Sequence, residues 1–282
     1  MSPSTLIAGG PVVTAGVPLQ TTQSTVAEAI RTDVLLSSSL WVNVALAGVA
    51  VLLFVYMGRD VEPERAKLIW VAMLLVPLVS LASYTALVSG LTVGVVQMPP
   101  GHPLAGQEVL SPWGRYLTWT FSTPMILLAL GLLAGTNRAQ LFTAITMDIG
   151  MCVTGLAAAS ISSSYLLRWG LYVISCGFFV AVLYVLLVEW PRDAEAAGTA
   201  EIFETLKLLT VTLWLGYPVL WALGPEGFAV LSVGLTSWGY SAFDIVAKYV
   251  FAFLLLRWVA ANAGAVASAP APTGRDAATA DD

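Results

Sequence analysis

Seven apolar runs of helix length divide the chain: Leu36 to Met57, Leu68 to Leu91, Trp113 to Leu133, Leu141 to Ala159, Leu166 to Trp190, Phe203 to Leu223 and Val233 to Val259. About 20 apolar residues in an α-helix cross the hydrocarbon of a bilayer, so each run predicts one membrane span. Pro77, Pro124 and Pro218 fall inside these runs, which membrane helices tolerate because neighbouring groups satisfy the freed carbonyls. Most connections are short, so consecutive helices should be antiparallel neighbours. The exception is Thr92 to Pro112, where Val-rich alternation broken by Pro-Pro-Gly predicts an extended hairpin over one mouth of the bundle. The pattern therefore predicts an all-α membrane protein, a seven-transmembrane-helix bundle with a β-hairpin-like loop between helices 2 and 3. Residues 1–35 should form an outer segment, with STVAEAIRTD as a short surface helix. Residues 36–261 should form the membrane domain. Residues 262–282, rich in Ala, Pro, Gly and Asp, read as a disordered cytoplasmic tail.

Composition supports the membrane reading. The chain has 282 residues, of which 58% are hydrophobic and 10% charged, and its mean hydropathy is +0.83. A soluble domain carries about 25% charged residues. A formal charge of −5 argues against nucleic acid as a partner. Cys152 and Cys176 each lie in an apolar run, far from the single His102, so they read as small buried hydrophobes rather than zinc ligands. Residues 1–35 show no basic stretch before a short apolar core, so the first span is expected to act as the insertion signal. Arg59, Arg65, Lys67, Arg138, Arg192, Arg257 and Arg275 collect on one side, against Arg31 and Arg168 on the other. The excess of positive residues places the N-terminus outside the cell membrane and the C-terminus in the cytoplasm.

Polar residues inside the spans carry the candidate chemistry. Asp244 and Lys248 lie one helical turn apart in the seventh span. Charges at that depth are costly, usually paired and usually functional. The pair reads either as structural glue or as a working centre, because a buried lysine also suits a Schiff base. In the third span Arg115, Thr118, Trp119, Ser122, Ile126 and Ala129 share one helix face. From Arg115 to Ala129 that face covers about 21 Å, polar in its outer half and apolar in its inner half. Hydroxyls on such a face also tie helices together. Trp214, Tyr217 and Trp221 cluster around Pro218 in the sixth span. They read as core or interfacial belt, or as a flat slot for a conjugated ligand.

Three segments, RYLTWTFSTPMILLALGLLAG, WLGYPVLWALGPEG and FDIVAKYVFAFLLLRW, resemble the microbial (type 1) rhodopsins. Within that family the chain is most similar to the archaeal halorhodopsins, light-driven inward chloride pumps, and the QMPPGH loop supports that branch. The resemblance covers Leu35 to Trp258. It implies all-trans retinal bound covalently to Lys248, with Trp119, Trp214, Tyr217 and Trp221 around the polyene. Met151 and Gly155 would shape the ring pocket, and Tyr172 and Ser175 would line it. Asp244 would serve as counterion. Thr118 and Ala129 stand where proton-pumping relatives carry acids, and Thr118, Ser122 and Ala129 match the chloride-pump triplet. Lys207 matches a basic position near the inner mouth. Asp148 matches a buried acid that ties two helices. Pro112 departs from the polar residue that some relatives have near the outer mouth. The resemblance also implies a homotrimer with carotenoid or lipid between subunits, and no enzymatic activity.

Charge counting leads the same way. A protonated Schiff base and Arg115 set against Asp244 leave one positive charge, which an acid at position 118 would have cancelled. An uncompensated buried charge is costly, so a chloride or other halide should bind among Lys248, Thr118, Ser122 and Arg115. Light would swing the Schiff-base N–H, the anion would follow, and release would pass Ala129, Thr210 and Lys207. Glu226 reads as shaping the anion entrance or as a solvated loop acid, and His102 as a loop-packing residue. The competing reading is a sensory rhodopsin that signals to a membrane transducer. A third is a seven-helix receptor or solute carrier without retinal.

Overall fold

The computed structural model describes residues 19–268. The expectations for residues 1–18 and 269–282, including most of the tail, lie outside the described residues; Ala263–Ser268, expected within the disordered tail, instead form a short helix with Val266 buried. The helices are α1 (Leu19–Thr32), α2 (Val34–Gly58), α3 (Glu64–Val88), α4 (Gly114–Ala134), α5 (Arg138–Ser160) and α6 (Tyr165–Tyr184), followed by α7 (Trp190–Ala196), α8 (Ala200–Leu223), α9 (Val233–Asp244), α10 (Phe251–Ala261) and α11 (Ala263–Ser268). Among the described residues six helical stretches are long and apolar enough to cross a membrane, the fifth running from Tyr165 to Ala196. The expected seventh span is present as one continuous run in which a π-helical segment, Ile245–Val250, joins α9 to α10. A second π-helical segment, Val185–Glu189, joins α6 to α7. Each π segment widens the helix locally, a feature that recurs at functional sites, and the one in the seventh span contains Lys248.

Local chemistry sets the helix ends. The Asp33 carboxylate accepts from Leu36 N at 2.9 Å, and the Asn137 side-chain oxygen Oδ1 accepts from Gln140 N at 2.9 Å. Ser164 and Ser232 cap α6 and α9 in the same way. These side chains satisfy donors that the first turn of a helix leaves free. Gly135 ends α4 at φ 73°, a left-handed position that costs glycine little.

The predicted hairpin forms as β1 (Gly94–Gln97) paired antiparallel with β2 (Glu108–Ser111), with Val95 opposite Leu110. Its Val109 and Leu110 are buried with Tyr84 and Leu87 of α3 and with Val26, Ala29 and Ile30 of α1. The expected surface helix is therefore longer than its core sequence, and one of its faces is packed into an outer cluster. The larger inner cluster joins α2, α3, α4, α8 and α10. Between α2 and α9 the core is polar. Ser39 and Ser237 share a hydrogen bond of 2.6 Å, and the Ser241 hydroxyl donates to Ser39 O at 3.1 Å. The fold thus sets α9 and its π segment between α2 and α8, with Asp244 and Lys248 on the buried side.

Candidate functional site

Asp244 is the hub. Its side chain is fully buried, and its Oδ2 stands 3.0 Å from Lys248 Nζ, itself 1% exposed. The Tyr84 hydroxyl donates to the same oxygen at 2.6 Å. Oδ1 accepts from the Tyr217 hydroxyl at 2.7 Å and from Trp119 Nε1 at 3.3 Å. Four elements thus supply partners to one carboxylate. Charge-assisted bonds of this kind are roughly twice as strong as neutral ones. Lys248 Nζ is less well held: it makes no well-aligned hydrogen bond, so its link to Asp244 is an ion pair.

Arg115 is buried and points inward. It donates through Nη1 to the Tyr84 hydroxyl at 3.1 Å and through Nη2 to Ser237 Oγ. The Tyr84 hydroxyl therefore bridges the guanidinium and Asp244. Thr118 is fully buried and donates to Ser83 Oγ, and Ser122 is fully buried with its hydroxyl unpartnered. No carboxylate of α4 enters this region, since none occurs in Gly114–Ala134.

A cavity extends from Lys248 between α4, α5, α6 and α8, with about 720 Å³ of non-atom space counted out to its open mouth. Every residue expected around a polyene lines it: Lys248, Trp119, Met151, Gly155, Tyr172, Ser175, Trp214, Tyr217 and Trp221. Tyr172 and Trp221 stack at 4.5 Å between ring centroids. The walls are thus largely aromatic and apolar, with one amine at the end. That donor set fits a long conjugated aldehyde held on Lys248 and offers little to a polar ligand.

Other expected residues lie apart. Lys207 is paired with Glu204 at 2.6 Å, and the Thr210 hydroxyl is buried and donates to Leu206 O in its own helix. Neither lines the cavity. Asp148 accepts from the Thr123 hydroxyl at 2.6 Å and so ties α5 to α4, as read. Cys152 is buried as expected, whereas Cys176 is only partly buried; both line the cavity. His102 packs in its loop, edge-on to the Tyr165 ring at 5.1 Å. Glu226 is not a solvated loop acid: it is 7% exposed.

Sequence reasoning missed Tyr84, Ser83, Ser237 and Tyr240. For two of these a signal was present. Ser237 and Tyr240 precede Asp244 by two turns and one turn, so they share its face. Tyr84 and Ser83 sit in an apolar run whose periodicity does not single them out.

Residues 34–262 match the family model described as bacteriorhodopsin-like protein. The chain belongs to this family. Within the family it is 75% identical over 270 residues to the halorhodopsin of Halobacterium halobium strain port, covering 95% of this chain and 98% of that one. It is 74% identical to the halorhodopsin of Haloarcula marismortui over 94% of this chain and 96% of that one. A solved structure described as halorhodopsin, a light-driven chloride pump, superposes with a TM-score of 0.82 at 64% identity, covering 84% of this chain and 100% of that chain. A bromide-bound halorhodopsin from Halobacterium salinarum superposes equally well, with a TM-score of 0.82. The bundle with its hairpin is the architecture of these relatives.

Proposed function

We propose that this chain is a light-driven inward chloride pump, with retinal held covalently on Lys248. The observation that carries the reading is the charge balance of the inner site. Lys248 and Arg115 bring two positive charges to one buried carboxylate, Asp244, while position 118 contributes a hydroxyl. A halide completes the balance. Arg115 and Lys248 attract it, the Ser122 hydroxyl is the donor free to coordinate it, and the Thr118 hydroxyl would join by turning away from Ser83. Ser122 has no protein partner, as a group reserved for an anion would require.

When bound, retinal supplies light absorption and an isomerisation that reorients the nitrogen on Lys248. The chain's own residues do the rest. Asp244, with three donors besides Lys248, stays in place as the fixed counterion. No acid at position 118 takes the proton, so the nitrogen stays cationic and the anion moves with it. The inner half of the α4 face, with buried Ile126 and Ala129, is dry and prevents leakage. Thr210 and Lys207 stand further along α8, where they would guide release, with Lys207 exchanging Glu204 for the leaving anion.

In this reading residues 1–35 lie outside the cell, residues 36–261 form the membrane domain and residues 262–282 face the cytoplasm. The family resemblance adds a homotrimer with carotenoid or lipid between subunits. The test is the visible spectrum of retinal-reconstituted protein with and without chloride, paired with light-driven pH changes in vesicles or cells. A chloride-dependent shift and passive alkalinisation enhanced by protonophore are expected. Outward proton movement abolished by protonophore would overturn the reading.

A further inference from the structure

Three buried polar groups without partners converge on a second cavity, outside the inner site. They are Glu226 Oε2, Thr236 Oγ1 and the Tyr240 hydroxyl, on residues that are 7%, 3% and 4% exposed. The free space between them has room for about one small occupant, and Arg115 forms part of its wall. Buried polar groups normally find a partner, so three orphans around one space point to something that enters it. Their neighbours fix their positions. A Cβ placed on Gly224 would lie 3.1 Å from Glu226 Oε2 and 3.0 Å from Thr236 Cγ2, so both side chains rest against that glycine. The Glu226 carbonyl accepts from Arg168 Nη1 at 3.1 Å, which anchors the loop carrying the acid. The Arg115 guanidinium lies 5.4 Å from the centre of the Tyr240 ring.

We propose that this outer cavity is a second halide site, which the anion occupies before the inner one, and that Glu226 controls its occupancy. With the Glu226 carboxyl neutral, Arg115, Thr236 Oγ1 and the Tyr240 hydroxyl all present positive charge or a donor to a halide. With it ionised, the carboxylate is itself the anion in the field of Arg115, and a halide is repelled. The inference rests on the chloride-pump reading and adds to it a site and a pH dependence.

The groups that face Glu226 are Arg115 and Tyr116 of α4, Arg168 of α6 and Tyr240 of α9. His102, on the hairpin loop, is coupled to Arg168. Burial pushes the Glu226 carboxyl above the usual carboxylate range, and Arg168 and Arg115 offset this only in part. Burial and Arg168 hold the His102 imidazole below its usual range, so it stays neutral into mild acid. The sign follows: halide affinity is greatest below the raised carboxyl pKa and falls as pH rises through it.

The experiment is a sodium chloride titration of the purified, retinal-reconstituted pigment in buffers from mildly acidic to mildly alkaline. It reads the visible shift at equilibrium and its rate after rapid mixing. The wild type should bind chloride several-fold more tightly and more quickly in acid. Glu226→Gln should bind as the acid form does at every pH. Glu226→Asp, which keeps a carboxyl, should retain the pH dependence. Thr236→Val should weaken binding several-fold in acid and little in alkali. A wild type whose chloride affinity does not vary with pH, or a Glu226→Gln pigment that keeps the wild-type dependence, would overturn the proposal. The absence of any chloride-dependent shift at any pH would instead overturn the chloride-pump reading.

Discussion

The Tyr84 hydroxyl donates to Asp244 while accepting from Arg115, at 2.6 Å and 3.1 Å. One phenol thus holds the Asp244 carboxylate and the Arg115 guanidinium in a fixed relation. Tyr84→Phe should leave the fold intact and remove one tether from each group. Hydrogen bonds to charged groups contribute about 1.5–3 kcal/mol, so halide affinity should fall roughly ten- to a hundredfold, accompanied by a displaced absorption maximum. Chloride titration of the variant pigment checks both.

Lys248→Ala should give no visible pigment with retinal, and it should also expose the cost of an unpaired Asp244. Removing one partner of a buried pair costs about 3–5 kcal/mol. Adding Asp244→Asn should recover most of that loss. Thermal unfolding of the retinal-free proteins in detergent would show a double variant more stable than Lys248→Ala alone. A double variant no more stable than the single one would mean that Asp244 is neutral in the folded protein.

Thr118→Asp should restore neutrality without a halide. Chloride binding should weaken at least tenfold, and light-driven chloride uptake should fall with it. Arg115→Gln should weaken binding by a similar or greater factor because it removes a positive charge. Unchanged halide affinity in both variants would sink the charge-balance argument.

Gly155 marks a tight place in the wall of the slot. A Cβ there would stand 3.3 Å from Tyr116 Cε1 and 3.4 Å from Ser175 Oγ. Gly155→Ala should be tolerated with small adjustments. Gly155→Leu should fill the slot and reduce the yield or rate of pigment formation severely, while the retinal-free protein still inserts in the membrane. Absorbance growth after adding retinal distinguishes the two.

Arg168 is fully buried, and its guanidinium donates to Ile161 O at 2.7 Å and to Glu226 O at 3.1 Å. Arg168→Ala leaves those carbonyls without their donor, so a loss of about 2–4 kcal/mol is expected. The melting temperature of the pigment reads it directly.

Helix-length apolar runs and the interruption at Pro-Pro-Gly made the bundle and its hairpin legible before any coordinates. The retinal slot was legible through resemblance: Trp214, Tyr217 and Trp221 alone are equally good core residues. What stayed hidden has a common cause. Tyr84 acts through a hydrogen bond to a residue 160 positions away, and such pairings across helices leave no local period. Glu226 looked like a loop acid because loops are usually wet, yet the Arg168 side chain draws its loop inward. The π segment at Lys248 was equally invisible, since its sequence, IVAKYV, suits an α-helix as well.

Trp119, Tyr116 and Tyr240 line both the retinal cavity and the outer one. The two chambers are therefore separated by a single layer of rings, and Trp119 also donates to Asp244. A chromophore that presses on this partition must alter the affinity of the outer chamber, and by thermodynamic reciprocity an ion in the outer chamber must alter the grip on the chromophore by the same factor. Salt in the medium would then act as a ligand that changes how firmly the protein holds its pigment.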